Sequence, residues 1–166
     1  MLKNLKISNY ALIEKSDIDF SSGFSVITGE TGAGKSIILG ALGLLMGQRA
    51  DSKVIKANEK KCAVEAVFNI EGLQLEAFFS EHDIDYDAEE CILRREVSSN
   101  GKSRAFVNDS PVSASTLKLL AAEVIDIHSQ HQNLLMGREH FLLDILDAVA
   151  NNQEVKDAYA QCFHEW

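Results

Sequence analysis

Residues 24–36 read Phe24-Ser25-Val26-Ile27-Thr28-Gly29-Glu30-Thr31-Gly32-Ala33-Gly34-Lys35-Ser36. The first five, short and β-branched, predict a buried strand. Gly29 to Ser36 then match G-x-x-x-x-G-K-S. From Lys35 the pattern turns helical, with apolar residues at Ile37, Ile38, Leu42, Leu44 and Leu45 and a stop at Gly47. A strand before the loop and a helix after it are the context this motif requires. The glycines let backbone N–H groups turn inward around phosphate oxygens. The start of the helix adds partial positive charge. Lys35 supplies a point charge for the β- and γ-phosphates, and the Ser36 hydroxyl is placed to ligate Mg²⁺. The candidate nucleotide contacts are Gly29, Glu30, Thr31, Gly32, Ala33, Gly34, Lys35, Ser36 and Ile37.

The flanking sequence narrows the class. A GTPase needs D-x-x-G and N-K-x-D after the loop, and neither occurs. The nearest match, Glu14-Lys15-Ser16-Asp17, precedes the loop. Upstream, Leu5 and Ile7, then Leu12-Ile13, Ile18 and Phe20, mark two strands. Downstream, Asp51 to Lys61 reads as a basic loop and Cys62 to Ile70 as a strand. Leu73 to His82 reads as a short helix and Asp83 to Glu90 as an acidic turn. Two further strands, Ile92 to Val97 and Ser103 to Val107, flank Asn100-Gly101, a hairpin signal. This long antiparallel segment does not suit a simple alternating nucleotide kinase and fits an ABC-type lobe. Ser113 to Ala122 predicts a helix capped by Ser113 or Ser115. Val124-Ile-Asp-Ile127 predicts a short buried strand. Asp126 is the best available acidic residue for hydrolysis, although the plain reading is a core strand entering a polar loop. No L-S-G-G-Q-like signature is present.

The 166 residues correspond to one domain or one lobe at about 150 residues per domain. With 46% hydrophobic and 25% charged residues, the composition excludes bulk disorder. No apolar run approaches the ~18 residues of a membrane span, and no signal core follows Met1-Leu2-Lys3-Asn4. The net charge of −9 excludes a surface basic all over but allows local basic patches. Lys53, Lys56, Lys60 and Lys61 form one candidate patch; Arg94, Arg95, Lys102 and Arg104 form another. Cys62, Cys91 and Cys162 are odd in number and widely spaced, which predicts buried filler in a reducing, cytoplasmic setting.

Besides Val26 to Ser36, several blocks carry a resemblance, the later ones more specific than the phosphate loop. They are Leu5-Lys-Ile-Ser-Asn-Tyr10, Ile18-Asp-Phe20, Ala41-Leu-Gly-Leu44 with Gly47-Gln-Arg49, and Leu93-Arg-Arg95. Further along come Ser98-Ser-Asn-Gly-Lys-Ser-Arg104 with Phe106-Val-Asn108, and Ile125-Asp-Ile-His-Ser-Gln-His-Gln132. In these the chain resembles, over nearly its whole length, the head of the RecN family in the SMC-like branch of ABC ATPases. The resemblance implies an α/β P-loop NTPase fold: the N-terminal lobe of an ABC/SMC-type head, with mixed and antiparallel β-sheet and flanking helices. Residues 1–150 would be the lobe with Walker A and the Q-loop, and residues 151–166 the truncated start of a coiled-coil arm.

The resemblance further implies partners and a setting. The C-terminal half of the same head would bring the signature and Walker B. A second head would form a homodimer around two ATP molecules, and DNA would be a further partner in double-strand break repair, in a cytoplasmic, nucleoid-associated setting. The full protein would hydrolyse ATP, and this segment alone would be inactive. An alternative is a nucleotide-gated clamp whose product is head dimerisation. Gln130 would be the Q-loop residue touching Mg²⁺ and the attacking water, with Gln132 as second choice and Ser129 where the family has Gly. Arg49 could reach nucleotide or DNA in the dimer.

Two metal readings are weak. His128 and His131, with Asp126, Glu139 or His140, match no standard zinc spacing. Asp83 to Glu90 lacks the glycine of a calcium loop, having Ala88 in its place.

Overall fold

The computed structural model describes residues 1–29, 35–49 and 51–127, together with 149, 150, 155, 159 and 162. It divides into two units, Met1–Asp126 and Ile127–Trp166. In the second unit the described residues 149, 150, 155, 159 and 162 are helical and exposed.

The first unit is built on a six-stranded sheet of order β2-β1-β3-β4-β5-β6. The strands are β1 (Leu2–Tyr10), β2 (Ile13–Asp19), β3 (Lys61–Phe68), β4 (Cys91–Ser98), β5 (Ser103–Val107) and β6 (Ser110–Val112). All five neighbouring pairs are antiparallel. The helices are α1 (Lys35–Leu45), α2 (Glu76–Glu81) and α3 (Ala114–Val124), with a 3₁₀ turn at Ser52–Val54.

Period-two alternation explains the single core. On β3, Cys62, Val64, Ala66 and Phe68 are buried, and on β4 so are Cys91, Leu93, Arg95 and Val97. With Leu5 and Ile7 of β1 and Ala105 and Val107 of β5 they form one face. Helices α1 and α3 pack on these strands through Ala41, Leu44, Leu45, Leu117, Leu120 and Ala121. The other face carries a cross-strand row in which Lys6 pairs with Glu65 at 3.6 Å and Glu65 with Arg94 at 3.8 Å. Arg94 also meets Asp109 at 3.3 Å and lies 4.5 Å over the Phe106 ring. Such half-exposed pairs contribute at most about 1 kcal/mol each, so the helix-covered face holds the sheet together.

Turn chemistry sets the registers. In the β4–β5 hairpin Gly101 donates to the Ser98 carbonyl, with Gly101 at φ +79°. This is a three-residue loop in which glycine takes the left-handed position, rather than a two-residue Asn-Gly turn. The two-residue turn with positive φ at both positions falls at Asn108 and Asp109, a hairpin to β6 that the sequence reading did not contain. Pro111 suits β6 because an edge strand tolerates a missing N–H.

Helix ends follow their local chemistry. Ser113 caps α3 by accepting from Thr116 N at 3.0 Å. Gly47, at φ +83°, stops α1 as expected: its N–H donates to the Leu44 carbonyl and that of Gln48 to the Gly43 carbonyl.

Two strand expectations are corrected. Residues 24–28 form no strand: Phe24, Val26 and Ile27 are 89%, 66% and 46% exposed. A strand needs a neighbour to take its N–H and C=O groups, and no described strand lies beside this run. Val124–Ile127 is also not a buried strand. Val124 ends α3, Ile125 caps it, and Asp126 is exposed. The apolar residues there complete a helix, so a second strand ending in an acidic residue is not formed at this place.

Cys62 and Cys91 are buried and Cys162 is exposed. Burial pushes the Cys91 thiol up to about 12 and raises Cys62 as well. At pH 8 a thiol reagent is expected to modify Cys162 quickly, and Cys91 at least about a hundredfold more slowly because so little thiolate forms. Keeping the Cys91 thiol neutral contributes stability in full below about 9, where an unfolded thiol begins to ionise. That contribution is lost as pH rises toward about 12. Mass-resolved alkylation of native protein checks the order, and fast modification of Cys91 would contradict it.

Candidate nucleotide-binding site

The site grows from the N-terminus of α1. Lys35 is its first residue and is half-buried; Ser36 is second and exposed; Ile37 is partly buried against the core. The Lys35 ammonium donates to the Gly29 carbonyl, so the side chain at the start of α1 reaches the residue that precedes the loop. Glu30, Thr31, Gly32, Ala33 and Gly34 lie outside the described residues, as does Gln130 with the rest of 128–148.

The donor set suits a polyphosphate. The first turn of α1 holds no acidic residue to compete with an anion, and the Lys35 charge and Ser36 hydroxyl sit where the helix dipole is positive. A lone hydroxyl beside an ammonium is a poor cation site in itself. Ser36 would therefore hold Mg²⁺ only together with phosphate oxygens, as nucleotide-bound Mg²⁺ is usually held. Among the described residues no group of three or more His, Cys, Asp or Glu could hold a metal. The candidates His128, His131, Glu139 and His140 lie outside them. The acidic turn is a solvated turn in which Asp87 accepts from the N–H groups of Glu89 and Glu90.

Close approach seats α1 on the sheet. A Cβ at Gly40 would lie 2.8 Å from the Tyr10 hydroxyl, and a Cβ at Gly43 would meet the Gln48 amide. Tyr10 is buried at the end of β1, and burial raises its pKa. The segment after α1 is tied to the β1–β2 hairpin by Ala11 N to Val54 O at 2.6 Å and by the Lys56–Glu14 pair at 2.7 Å. The hairpin, that segment and the phosphate-loop helix thus form one body.

The two basic patches do not survive intact. Lys56 pairs with Glu14 and Lys61 with Glu96. Arg94 is engaged by Glu65 and Asp109. Arg95 is 6% exposed and points into the core, where its guanidinium bonds Leu44 O and Ser103 Oγ, both at 3.0 Å. The signal for this was in the sequence: Arg95 shares the parity of Cys91, Leu93 and Val97 on β4. Lys53, Lys60, Lys102, Arg104 and Arg49 remain exposed.

Comparison with known proteins gives the lineage. The AAA-domain family matches residues 4–157. The chain belongs to the AAA-domain family. This AAA-domain chain is 37% identical over 166 residues to the DNA repair protein RecN of Vibrio cholerae, covering all of this chain and 30% of that protein. It is 39% identical over 170 residues to RecN of Haemophilus influenzae, with the same coverage. The chain therefore spans about 30% of the length of the curated relatives it matches. A solved structure, described under ATP-driven dimerization and DNA-stimulated activation of SMC ATPases, is 26% identical with a TM-score of 0.62. The match covers 87% of this chain and 98% of that one. The AAA-domain chain thus has the fold expected of an SMC-type head lobe, with the antiparallel layer in place.

Proposed function

We propose that this chain is the ATP-binding N-terminal part of a RecN-like ATPase head acting in DNA double-strand break repair. The observation that carries the reading is the phosphate loop on α1, with the Lys35 ammonium folded onto Gly29 at the loop's other end and no acidic side chain in the first helical turn. Lys35 and the loop amides bind the phosphates, Ser36 holds Mg²⁺ with them, and Gln130 contacts the metal and the attacking water. What bound Mg²⁺ supplies is charge neutralisation between the β- and γ-phosphates. The whole protein hydrolyses ATP, and this segment by itself does not, because it brings neither signature nor Walker B.

The C-terminal part of the same head is the first partner. Phe24, Val26 and Ile27 have the composition of an interior strand yet are exposed, which supports a neighbouring strand from that part. A second copy of the head and DNA are the further partners. Within the two basic patches, Lys53, Lys60, Lys102 and Arg104 are the exposed residues outside those ion pairs, and they would meet phosphates of DNA. Residues 151–166 begin the coiled-coil arm and residues 1–150 form the lobe. No described helix is long and apolar enough to cross a membrane. The setting that goes with this reading is cytoplasmic and nucleoid-associated.

Calorimetric titration of the protein at its natural length with Mg-ATP tests the reading. Saturable binding with one nucleotide per head is expected. Absence of any heat or of any protection against unfolding would reject it.

A further inference from the structure

Among the described residues Arg95 is the one charged side chain that is buried. No carboxylate pairs with it among them; its partners are a backbone carbonyl and a hydroxyl. A buried guanidinium without a counter-ion is costly, and an apolar side chain of similar length would fill the space without that cost. The placement is specific, however. Leu44 O is one of the last carbonyls of α1 and already accepts from Gly47 N at 3.2 Å. A carbonyl has two lone pairs, so Leu44 O can accept from Arg95 as well as from Gly47, at the negative end of the helix dipole. Ser103 on β5 holds the other side of the fork, so the guanidinium stands fixed between two strands and the helix. Burial draws the pKa of Arg95 down from its ordinary value, yet an arginine remains charged at neutral pH.

We propose that Arg95 is a positioning residue for the phosphate loop: by holding the Leu44 carbonyl it sets where α1 rests on the sheet, and so where Lys35 and Ser36 stand. Helix α1 has 11 residues, and a helix this short moves as a rod, so a shift at Leu44 is carried about 13.5 Å to Lys35. The seat is read from geometry alone; its effect on a ligand rests on the nucleotide reading above.

The test uses the protein at its natural length with Arg95→Met, Arg95→Lys and a control, Val107→Ala. Val107 is fully buried on β5, which packs against α3. Amide hydrogen exchange in α1 and in β3, the melting temperature, and the dissociation constant of a fluorescent ATP analogue with Mg²⁺ are measured. Arg95→Met is expected to speed α1 exchange relative to β3 by about tenfold and to weaken nucleotide binding by a similar factor, as loss of a charge-assisted hydrogen bond implies. Val107→Ala is expected to lower the melting temperature while leaving the α1-to-β3 exchange ratio and the nucleotide affinity within about twofold. Arg95→Lys, which keeps the charge but loses the fork, should fall between, near threefold in both readouts. If Arg95→Met does not fold, the lysine variant decides by the same comparison.

An α1 that exchanges no faster than in Val107→Ala overturns the proposal. So does an unchanged nucleotide affinity when the wild type binds. Failure of the wild type itself to bind would reject the nucleotide reading instead. In that case faster α1 exchange in Arg95→Met still supports the seat, and an unchanged α1 overturns it.

Discussion

Lys35→Ala in the protein at its natural length is expected to weaken Mg-ATP binding by about ten- to a hundredfold, the loss of a charge-assisted contact to phosphate. The physical basis is the position of Lys35. It opens α1, its ammonium is directed back across the loop to Gly29 O, and a phosphate would offer that ammonium a stronger, charged acceptor than a carbonyl. The fold should be little changed, because Lys35 is only half-buried and removing it exposes no core residue. Calorimetry gives the affinity and a melting curve without nucleotide gives the control. Equal affinities for wild type and variant would place the phosphates somewhere other than this loop. A lower melting temperature in the absence of nucleotide would mean that the lysine holds the loop rather than the ligand.

Phe68→Ala should be among the most damaging single changes, at about 3–5 kcal/mol, against much less for the adjacent Val67→Ala. Phe68 ends β3 on the covered face and is 1% exposed, while Val67 points to the open face and is half-buried. The two residues are adjacent in sequence and similar in hydropathy, so the difference in cost measures which face is core. Denaturant unfolding of both variants checks it. Similar costs for the two would mean that the open face is covered as tightly as the helix-packed one, contrary to the charged row Lys6–Glu65–Arg94 that occupies it.

Much of the antiparallel layer could be read from local chemistry. Leu5 and Ile7 on β1, the alternation on β3 and β4, and the hairpin after Ser98 all depend on near neighbours, and they form where expected. The Gly47 stop and the Ser113 cap are likewise local, because a helix end is satisfied by groups within a few residues. Missed or misplaced features share a different cause. The β6 hairpin rests on two consecutive residues in positive φ, which Asn108-Asp109 tolerate but do not demand. The run Phe24–Thr28 has strand propensity, but propensity alone cannot supply the neighbour that a strand's backbone requires.

The sequence by itself determined the G-x-x-x-x-G-K-S motif and the helix that follows it, the strand alternation, and the membership that the similarity then bore out. A motif of fixed spacing carries its chemistry in backbone freedom and one charge, and those travel with the residues. Only the tertiary structure decided that Arg95 is an internal brace rather than part of a basic surface, and that Tyr10 packs at Gly40. It also decided that Arg94, Lys56 and Lys61 are already paired. The reason is common to all of them. Whether a charge faces water, a carboxylate or a helix end depends on residues as far as 51 positions away in the chain, which only the folded chain brings within 4 Å.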